Sequence, residues 1–188
     1  MKRFLLLSLL LITIGSQSVS MAQQRHADGV DDVLQYLPYA TVFAFKTAGM
    51  DSRHEWPQLA ATTVASWVAS AGAGYVLKHE IREWRPDSTD MRSFPSGHTI
   101  FAFAGATMLR HEFGHVSPWI SVGGYAVATL TAIDRVHRDR HHWHDVAAGA
   151  IVGVCAAELT CYLSNRILKN DRVAIGLTGQ GVDVAVRW

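Results

Sequence analysis

Charged residues are scarce in this chain of 188 residues, and their signs nearly cancel. Asp, Glu, Lys and Arg make up 18% of the sequence, the formal net charge is +1, and 49% of the residues are hydrophobic. A nearly neutral protein has no strong electrostatic attraction to nucleic acid, so a nucleic-acid partner is not expected. The apolar composition indicates a single domain with a substantial core, and no internal repeat or low-complexity linker divides the sequence.

Cysteine is nearly absent too, since Cys155 and Cys161 are the only two. They lie in one apolar stretch that is predicted to be helical, which separates them by about 9 Å along the helix axis and points them to different sides. A disulfide does not accommodate that geometry. We therefore predict two free thiols that pack as small buried hydrophobic residues. No cysteine lies near the end of the N-terminal apolar run, which argues against a lipoprotein anchor.

The first residues have the pattern of an export signal. Lys2 and Arg3 precede an apolar run over residues 4–14, and Ser20-Met21-Ala22 offers small residues at the two positions that a signal peptidase reads. We predict a signal peptide over residues 1–22, cleaved after Ala22 and followed by a polar leader over residues 23–32. The alternative is an uncleaved anchor helix, although eleven apolar residues are short for a span of about 20.

Helical patterns fill the chain between residues 33 and 168. The apolar stretches that carry them are Val33–Phe45, which Pro38 interrupts, then Trp56–Leu77, Thr99–Leu109, Val116–Ile133 and Val146–Leu163. The second and the fourth contain no charged residue over 22 and 18 positions, which is the length expected of a membrane span. The pattern predicts an all-α domain over residues 33–168, a helical bundle that touches or partly enters a bilayer. A soluble bundle with very apolar central helices is the alternative.

The C-terminal tail, residues 169–188, has a different pattern. Apolar residues alternate with their neighbours over residues 173–177 and again over 182–186, on either side of a glycine-containing turn at 178–181. This alternation predicts a β-hairpin. Because an isolated hairpin is only marginally stable, we expect it to pack on the bundle or on a partner.

Three separated motifs carry candidate chemistry, and the first supplies cations. Lys78 and Arg85 are seven residues apart, so they share one face if a helix continues through both. Pro86 stops or kinks the chain directly afterwards. The alternative is an ordinary structural role, since basic residues often end helices, where they offset the negative end of the helix dipole.

The second motif, Pro95-Ser96-Gly97-His98, directly precedes an apolar helical stretch. Ser96 is placed to cap that helix, and the free amides of its first turn can then bind an anion such as phosphate. Gly97 lets the backbone approach a ligand closely, and His98 lies beside the same anion. A plain helix cap explains Ser96 but leaves His98 unexplained.

The third motif places Arg135 at the end of one apolar stretch and Asp145 at the start of the next. His141 precedes Asp145 by four residues, so the carboxylate can hold one imidazole nitrogen while the other faces a pocket, an arrangement that activates a nucleophile. One alternative makes Asp145 a helix cap. Another is a metal site built from His141, His142, His144 and Asp145. No further acidic or cysteine cluster completes a metal shell, so we predict no metal.

Together the motifs resemble the tripartite signature of the type 2 phosphatidic acid phosphatase and vanadium haloperoxidase superfamily. The resemblance spans Lys78 to Asp145, and each part has the family's spacing: Lys78 with Arg85-Pro86, Pro95-Ser96-Gly97-His98, and Arg135 with His141 and Asp145. One departure is Asp134, where the family usually has a small residue, often serine. It puts a carboxylate next to an arginine that the resemblance assigns to phosphate binding.

The resemblance implies a helical bundle with metal-independent phosphatase activity, a phosphohistidine intermediate and no cofactor. The groups that would hold the phosphate oxygens are Lys78, Arg85, Arg135, the Ser96 hydroxyl and the Gly97 amide. His141 would attack phosphorus, Asp145 would orient His141, and His98 would protonate the leaving alkoxide.

We expect the substrate to be a phosphomonoester or pyrophosphate of a lipid, because the apolar helices and the motifs converge on one mouth of the bundle. An exported chain would present that mouth to the periplasm, either in solution there or at the inner membrane. The alternatives are a soluble periplasmic non-specific acid phosphatase, a vanadium-dependent haloperoxidase, and a non-catalytic membrane protein that retains the pocket.

Overall fold

The computed structural model describes residues 29–168 together with residues 173–178 and 181–186. The helices in this part of the chain are α1 Val30–Leu34, α2 Leu37–Thr47, α3 Trp56–Glu80, α4 Gly97–Phe113, α5 Pro118–His137 and α6 Trp143–Leu168. The prediction of a helical bundle is confirmed. The predicted signal peptide over residues 1–22 lies outside the described residues, as does most of the predicted leader, whose residues 30–32 belong to α1.

The helices follow the local sequence signals. Pro38, Pro57 and Pro118 lie in the first turns of α2, α3 and α5, where no intrahelical donor is lost. Each predicted apolar stretch corresponds to helix in the structure, with ends that differ by a few residues. The first stretch is divided between α1 and α2, which are separated by residues 35 and 36.

Helix α4 lies at the centre of the bundle and contacts α2, α3, α5 and α6. Its contact with α6 leaves no room for a side chain at two positions. A Cβ added at Gly149 would lie 2.8 Å from the carbonyl oxygen of Ser96, and one added at Gly153 would lie 2.3 Å from that of Ile100. Glycine at both positions lets the start of α6 lie directly against the first turn of α4. The second and third motifs are therefore neighbours.

Helix α3 is polar on its inner face and apolar on its outer face. The residues that it buries are Leu59, Thr62, Thr63, Ser66, Ser70 and Gly74. The large hydrophobic residues that it exposes are Trp56, Val64, Trp67, Val68, Tyr75 and Val76. Inside the bundle, the hydroxyls of Ser66 and Tyr39 are hydrogen-bonded at 3.0 Å. Small residues facing neighbouring helices, with large apolar residues facing outward, are typical of helices in contact with lipid.

Among the described residues, α6 is the one helix long and apolar enough to cross a membrane, with a mean hydropathy of 1.8 in its most apolar window. The charge-free runs had pointed to α3 and α5 instead. Their Gly, Ser and Thr residues keep the hydropathy of these two helices below that of a span, because a helix without charge is not necessarily hydrophobic.

Both cysteines are free, as predicted. Cys161 is buried, with its Sγ 3.5 Å from Sδ of Met108. The prediction that both are buried is wrong for Cys155, which is exposed because it lies on the outward face of α6.

Two strands follow α6. The backbone of β1, Val173–Thr178, pairs antiparallel with that of β2, Gly181–Val186, in a register that sets Val173 opposite Val186. The prediction is that these strands pack on the bundle or on a partner, and the backbone of β1 lies against α3 and α6 of the bundle.

Candidate active site

Lys78 brings the first cation to the start of α4. It lies in the last turn of α3, and its Nζ donates a hydrogen bond to the carbonyl of Arg92 at 2.9 Å. A Cβ added at Gly97 would lie 3.9 Å from Cε of Lys78, so the lysine side chain lies beside the first turn of α4. Burial and the neighbouring charge of Arg85 lower the pKa of Lys78 to about 8.

Arg85 reaches the site from a loop. The expectation that it shares a helix face with Lys78 is wrong, because α3 ends at Glu80 and residues 81–96 form an irregular loop. The Nε of Arg85 donates to Oδ1 of Asp90 at 2.9 Å, and its Nη1 donates to the carbonyl of Arg140 at 3.4 Å. The loop is thereby tied to the turn between α5 and α6, where the third motif lies.

Ser96 occupies the N-cap position of α4, but its side chain does not cap the helix. The hydroxyl is buried and accepts a hydrogen bond from Oγ1 of Thr99 at 3.0 Å. The prediction of side-chain capping is therefore wrong. Instead, the backbone N–H of Ser96 donates to the carbonyl of Asp145 at 3.1 Å. This bond joins the second motif directly to the third.

His141 and Asp145 are both buried and face each other. The Nδ1 of His141 lies 3.6 Å from Oδ2 of Asp145, longer than a hydrogen bond. That oxygen accepts hydrogen bonds from Oγ of Ser93 at 2.5 Å and from the backbone N–H of His142 at 2.8 Å. Ser93 thus holds the carboxylate beside His141. No motif pointed to Ser93, which lies 52 residues from Asp145 in the sequence.

Three cations surround His141. Burial, together with the charges of Arg85, Arg135 and Lys78, lowers the pKa of His141 to about 4, against the opposing effect of Asp145. The imidazole is therefore neutral at neutral pH, with its lone pair available for attack. The cations and histidine named by the three motifs converge in the structure.

Asp31 of α1 pairs with the arginine of the third motif. Its Oδ2 forms an ion pair with Nη1 of Arg135, and its Oδ1 accepts from Nη1 of Arg138 at 2.6 Å. The neighbouring Asp32 contacts His98, with Oδ1 lying 2.7 Å from Nε2 of the imidazole. Burial and Arg135 lower the pKa of His98, while the two aspartates oppose that shift. In the sequence, both aspartates fall within the predicted leader and carry no motif that would mark them as site residues.

A family model described as the PAP2 superfamily matches residues 55–169, a range that contains all three motifs. The chain belongs to the PAP2 superfamily.

Similar PAP2 proteins are named as lipid phosphatases. A lipid A 1-phosphatase of Porphyromonas gingivalis is 35% identical over 142 residues, which are 75% of this chain and 32% of that protein. Lipid phosphate phosphatase 2 of Arabidopsis thaliana is 40% identical over 83 residues, which are 38% of this chain and 28% of that protein. The chain therefore spans less than a third of the length of these two relatives.

Solved PAP2 structures share the helical fold. LpxE of Aquifex aeolicus superposes with a TM-score of 0.57 at 18% identity, covering 76% of this chain and 93% of that one. A transmembrane PAP2-type phosphatidylglycerolphosphate phosphatase from Bacillus subtilis gives a TM-score of 0.50 at 19% identity, with 87% and 94% covered.

Asp134 is the departure from the usual PAP2 pattern, and it faces Asp31 and Arg138. Its Oδ2 lies 3.9 Å from Nη1 of Arg138. Burial and the adjacent carboxyl of Asp31 raise the pKa of Asp134. A raised pKa favours the neutral form of Asp134, which adds no negative charge to this side of the pocket.

Four potential metal ligands lie close together beside the PAP2 motifs. This set differs in one residue from the metal site considered from the sequence. Each residue of the set offers one ligand atom, and these four atoms lie within 4.8 Å of one another; the residues are Glu83, His142, His144 and Asp145. Glu83 takes the place of His141 because the loop over residues 81–96 folds back against the start of α6.

Proposed function

We propose that this chain is a metal-independent lipid phosphatase that hydrolyses a phosphomonoester or pyrophosphate through a phosphohistidine on His141. The observation that carries the proposal is a buried, neutral His141 among three cations, beside a carboxylate that Ser93 holds in place. This set supplies a nucleophile, its orienting group and the charge needed to bind a phosphoryl group.

In the first step, Nε2 of His141 attacks phosphorus and the bond from phosphorus to the leaving oxygen breaks. Nδ1 keeps its proton and faces Asp145, whose negative charge stabilises the positive charge that develops on the ring. His98 gives its proton to the leaving alkoxide, a role typically worth about 10² to 10⁴ in rate. The incoming phosphate favours the protonated form of His98 because it adds negative charge nearby.

In the second step, water attacks the phosphohistidine while His98, now neutral, accepts a proton from that water. The bond between nitrogen and phosphorus breaks, and inorganic phosphate leaves. Throughout, negative charge on the phosphoryl oxygens is stabilised by groups already in place: Lys78, Arg85, Arg135, the Ser96 hydroxyl and the Gly97 amide.

The outer surface of the bundle supports a lipid substrate. Helix α3 exposes Trp67 and Tyr75 at 44% and 65%, and α6 exposes Ile151 and Leu159 at 64% and 58%. Such a surface suits contact with acyl chains. We place the protein at the inner membrane with the site facing the periplasm, which the basic start and apolar run of residues 2–14 support.

The test is a phosphate-release screen of detergent-purified protein, with a chelator present. The substrates are phosphatidate, a polyprenyl pyrophosphate, a lipid A phosphate and a small aryl phosphate. We expect turnover of a lipid substrate that His141→Ala abolishes and that His115→Ala, a variant of a histidine paired with Asp51, leaves intact. Preference for the aryl phosphate would favour a soluble acid phosphatase, and loss of activity in chelator would contradict the metal-free mechanism.

A further inference from the structure

Four side chains next to the phosphohistidine site form a compact set of metal-ligand atoms. Nδ1 of His142 lies 3.4 Å from Oε1 of Glu83 and 3.4 Å from Oδ2 of Asp145. Nε2 of His144 lies 2.6 Å from Oε1 of Glu83 and 3.4 Å from Oδ1 of Asp145.

Two of these separations equal the edge of a tetrahedral zinc site. At zinc-to-ligand distances of about 2.0–2.1 Å, neighbouring ligands of a tetrahedron are about 3.3–3.4 Å apart. With Oδ1 of Asp145 as the ligand, the 3.4 Å distances from His142 to Glu83 and from His144 to Asp145 are such edges. The shorter contact between His144 and Glu83, 2.6 Å, needs a shift of less than about 1 Å. Two imidazoles with two carboxylates are a donor set that suits zinc.

Two of the ligand atoms are buried polar atoms that form no hydrogen bond among the described residues. Within the part of the chain that the structure describes, Nδ1 of His142 and Oδ1 of Asp145 are buried without a hydrogen-bond partner. Asp145 is fully buried, and the free Oδ1 is the oxygen that faces His144. Buried polar atoms are seldom left unsatisfied, and a bound cation would satisfy both. The rings of His142 and His144 lie nearly parallel, with centroids 5.2 Å apart.

We infer that Glu83, His142, His144 and Asp145 form a binding site for a divalent transition-metal ion of the zinc type, and that its occupation inhibits the enzyme. The inhibitory half of the inference rests on the proposed phosphatase function. Asp145 would be shared between the metal and His141. Coordination through Oδ1 would neutralise the charge that stabilises the developing imidazolium, while Ser93 and the backbone of His142 keep their bonds to Oδ2.

Cobalt reports the geometry of such a site independently of activity. We expect detergent-purified full-length protein to bind Co²⁺ with the intense visible absorption of a tetrahedral complex, and Zn²⁺ to displace it. The variants Glu83→Gln and His144→Ala should each weaken binding by at least about tenfold, because they remove a ligand. His115→Ala, far from the cluster in sequence, is the matched control.

Phosphate release measures whether metal binding inhibits the enzyme. Added Zn²⁺ should inhibit the wild-type protein and the His115→Ala control, while Glu83→Gln and His144→Ala should resist inhibition and keep their basal activity. Absence of a tetrahedral Co²⁺ spectrum in wild type, or a spectrum unchanged in both ligand variants, would overturn the site. A spectrum lost in Asp32→Asn instead would assign the ion to Asp31, Asp32 and His98.

The outcomes for metal binding and for phosphatase activity are separable. If the protein binds Co²⁺ as expected but releases no phosphate from any substrate, the metal site stands and the proposed function fails. If Zn²⁺ inhibits the ligand variants as strongly as wild type, inhibition arises elsewhere and the inhibitory role is overturned.

Discussion

The carboxylate of Asp31 forms an ion pair with the guanidinium of Arg135, one of the cations expected to hold the transferred phosphoryl group. The other oxygen of the carboxylate accepts from Arg138. A planar carboxylate held by two arginines occupies a position suited to phosphate, because both anions accept from the same guanidinium donors. Under the proposed function, we therefore expect Asp31 of α1 to compete with substrate for Arg135.

Replacing Asp31 by Asn should strengthen anion binding. We expect the KM for a phosphate ester and the inhibition constant of vanadate to fall by about tenfold, equivalent to about 1.4 kcal/mol, with little change in kcat. The melting temperature should fall without ligand, since buried Arg135 and partly buried Arg138 lose their partner, and should recover when vanadate is added. Asp51→Asn, at an exposed carboxylate, serves as the control. Unchanged KM and vanadate inhibition would mean that substrate does not displace Asp31.

Ser93→Ala should lower kcat while leaving KM nearly unchanged. Ser93 touches Asp145 through a 2.5 Å hydrogen bond and positions it against His141, so its loss affects the nucleophile more than substrate binding. A loss of about tenfold in kcat corresponds to about 1.4 kcal/mol, close to the lower end of the range for a hydrogen bond to a charged group. Ser93→Thr, which keeps the hydroxyl, should restore part of the activity. Equal losses of kcat in Ser93→Ala and Ser93→Thr would show that the hydroxyl does not position Asp145.

The acidic limb of the pH profile of kcat/KM should lie at a pH well below the ordinary pKa of histidine. Burial and the nearby cations hold the pKa of His141 at about 4, below the ordinary value of 6.5, so the neutral nucleophile persists down to that pH. Lys78→Met removes a cation that lowers this pKa, and the limb of kcat/KM should move to higher pH. Lys46→Met is the control, since Lys46 bonds the carbonyl of His54. A limb that stays in place in Lys78→Met would contradict the electrostatic account.

The same shift predicts a loss of stability in acid. Because the folded pKa of His141 lies below the unfolded value of 6.5, the unfolded state binds an extra proton between about pH 4 and 6.5. The contribution of neutral His141 to the free energy of unfolding is therefore lost as pH falls through that window. Denaturant titrations of wild type and His141→Gln at several pH values measure it.

A thiol placed in the loop over residues 81–96 should report which side of the membrane the site faces. Thr89 is exposed, whereas Asp87 in the same loop pairs with Arg140. In a Cys155→Ser background, Thr89→Cys should react with an impermeant thiol reagent once the outer membrane is opened. Labelling that requires lysis of the inner membrane would reverse the proposed orientation.

The sequence predicted that Lys78 and Arg135 lie near the ends of helices, and both lie in a last turn, because helix ends leave a local signal. It did not predict how distant segments meet. Ser93 and Asp145 are 52 residues apart and Asp31 and Arg135 are 104 apart, and neither contact leaves a periodic signal in the chain. Ser96 shows another limit: its position at the start of α4 was predictable, but its hydroxyl turns inward towards Thr99 because the site is buried.

The hydrogen bond from the backbone of Ser96 to the backbone of Asp145 fixes two motifs without using any side chain. A link between main-chain atoms tolerates substitution on either side of it, so neighbouring positions can diverge while the helix starts stay in register. Asp134, an acidic residue in a usually small position, illustrates such divergence within an unchanged frame. Under the proposed function, this main-chain link would let residues at the rim of the pocket change to fit different headgroups while the two helix starts keep their relative positions.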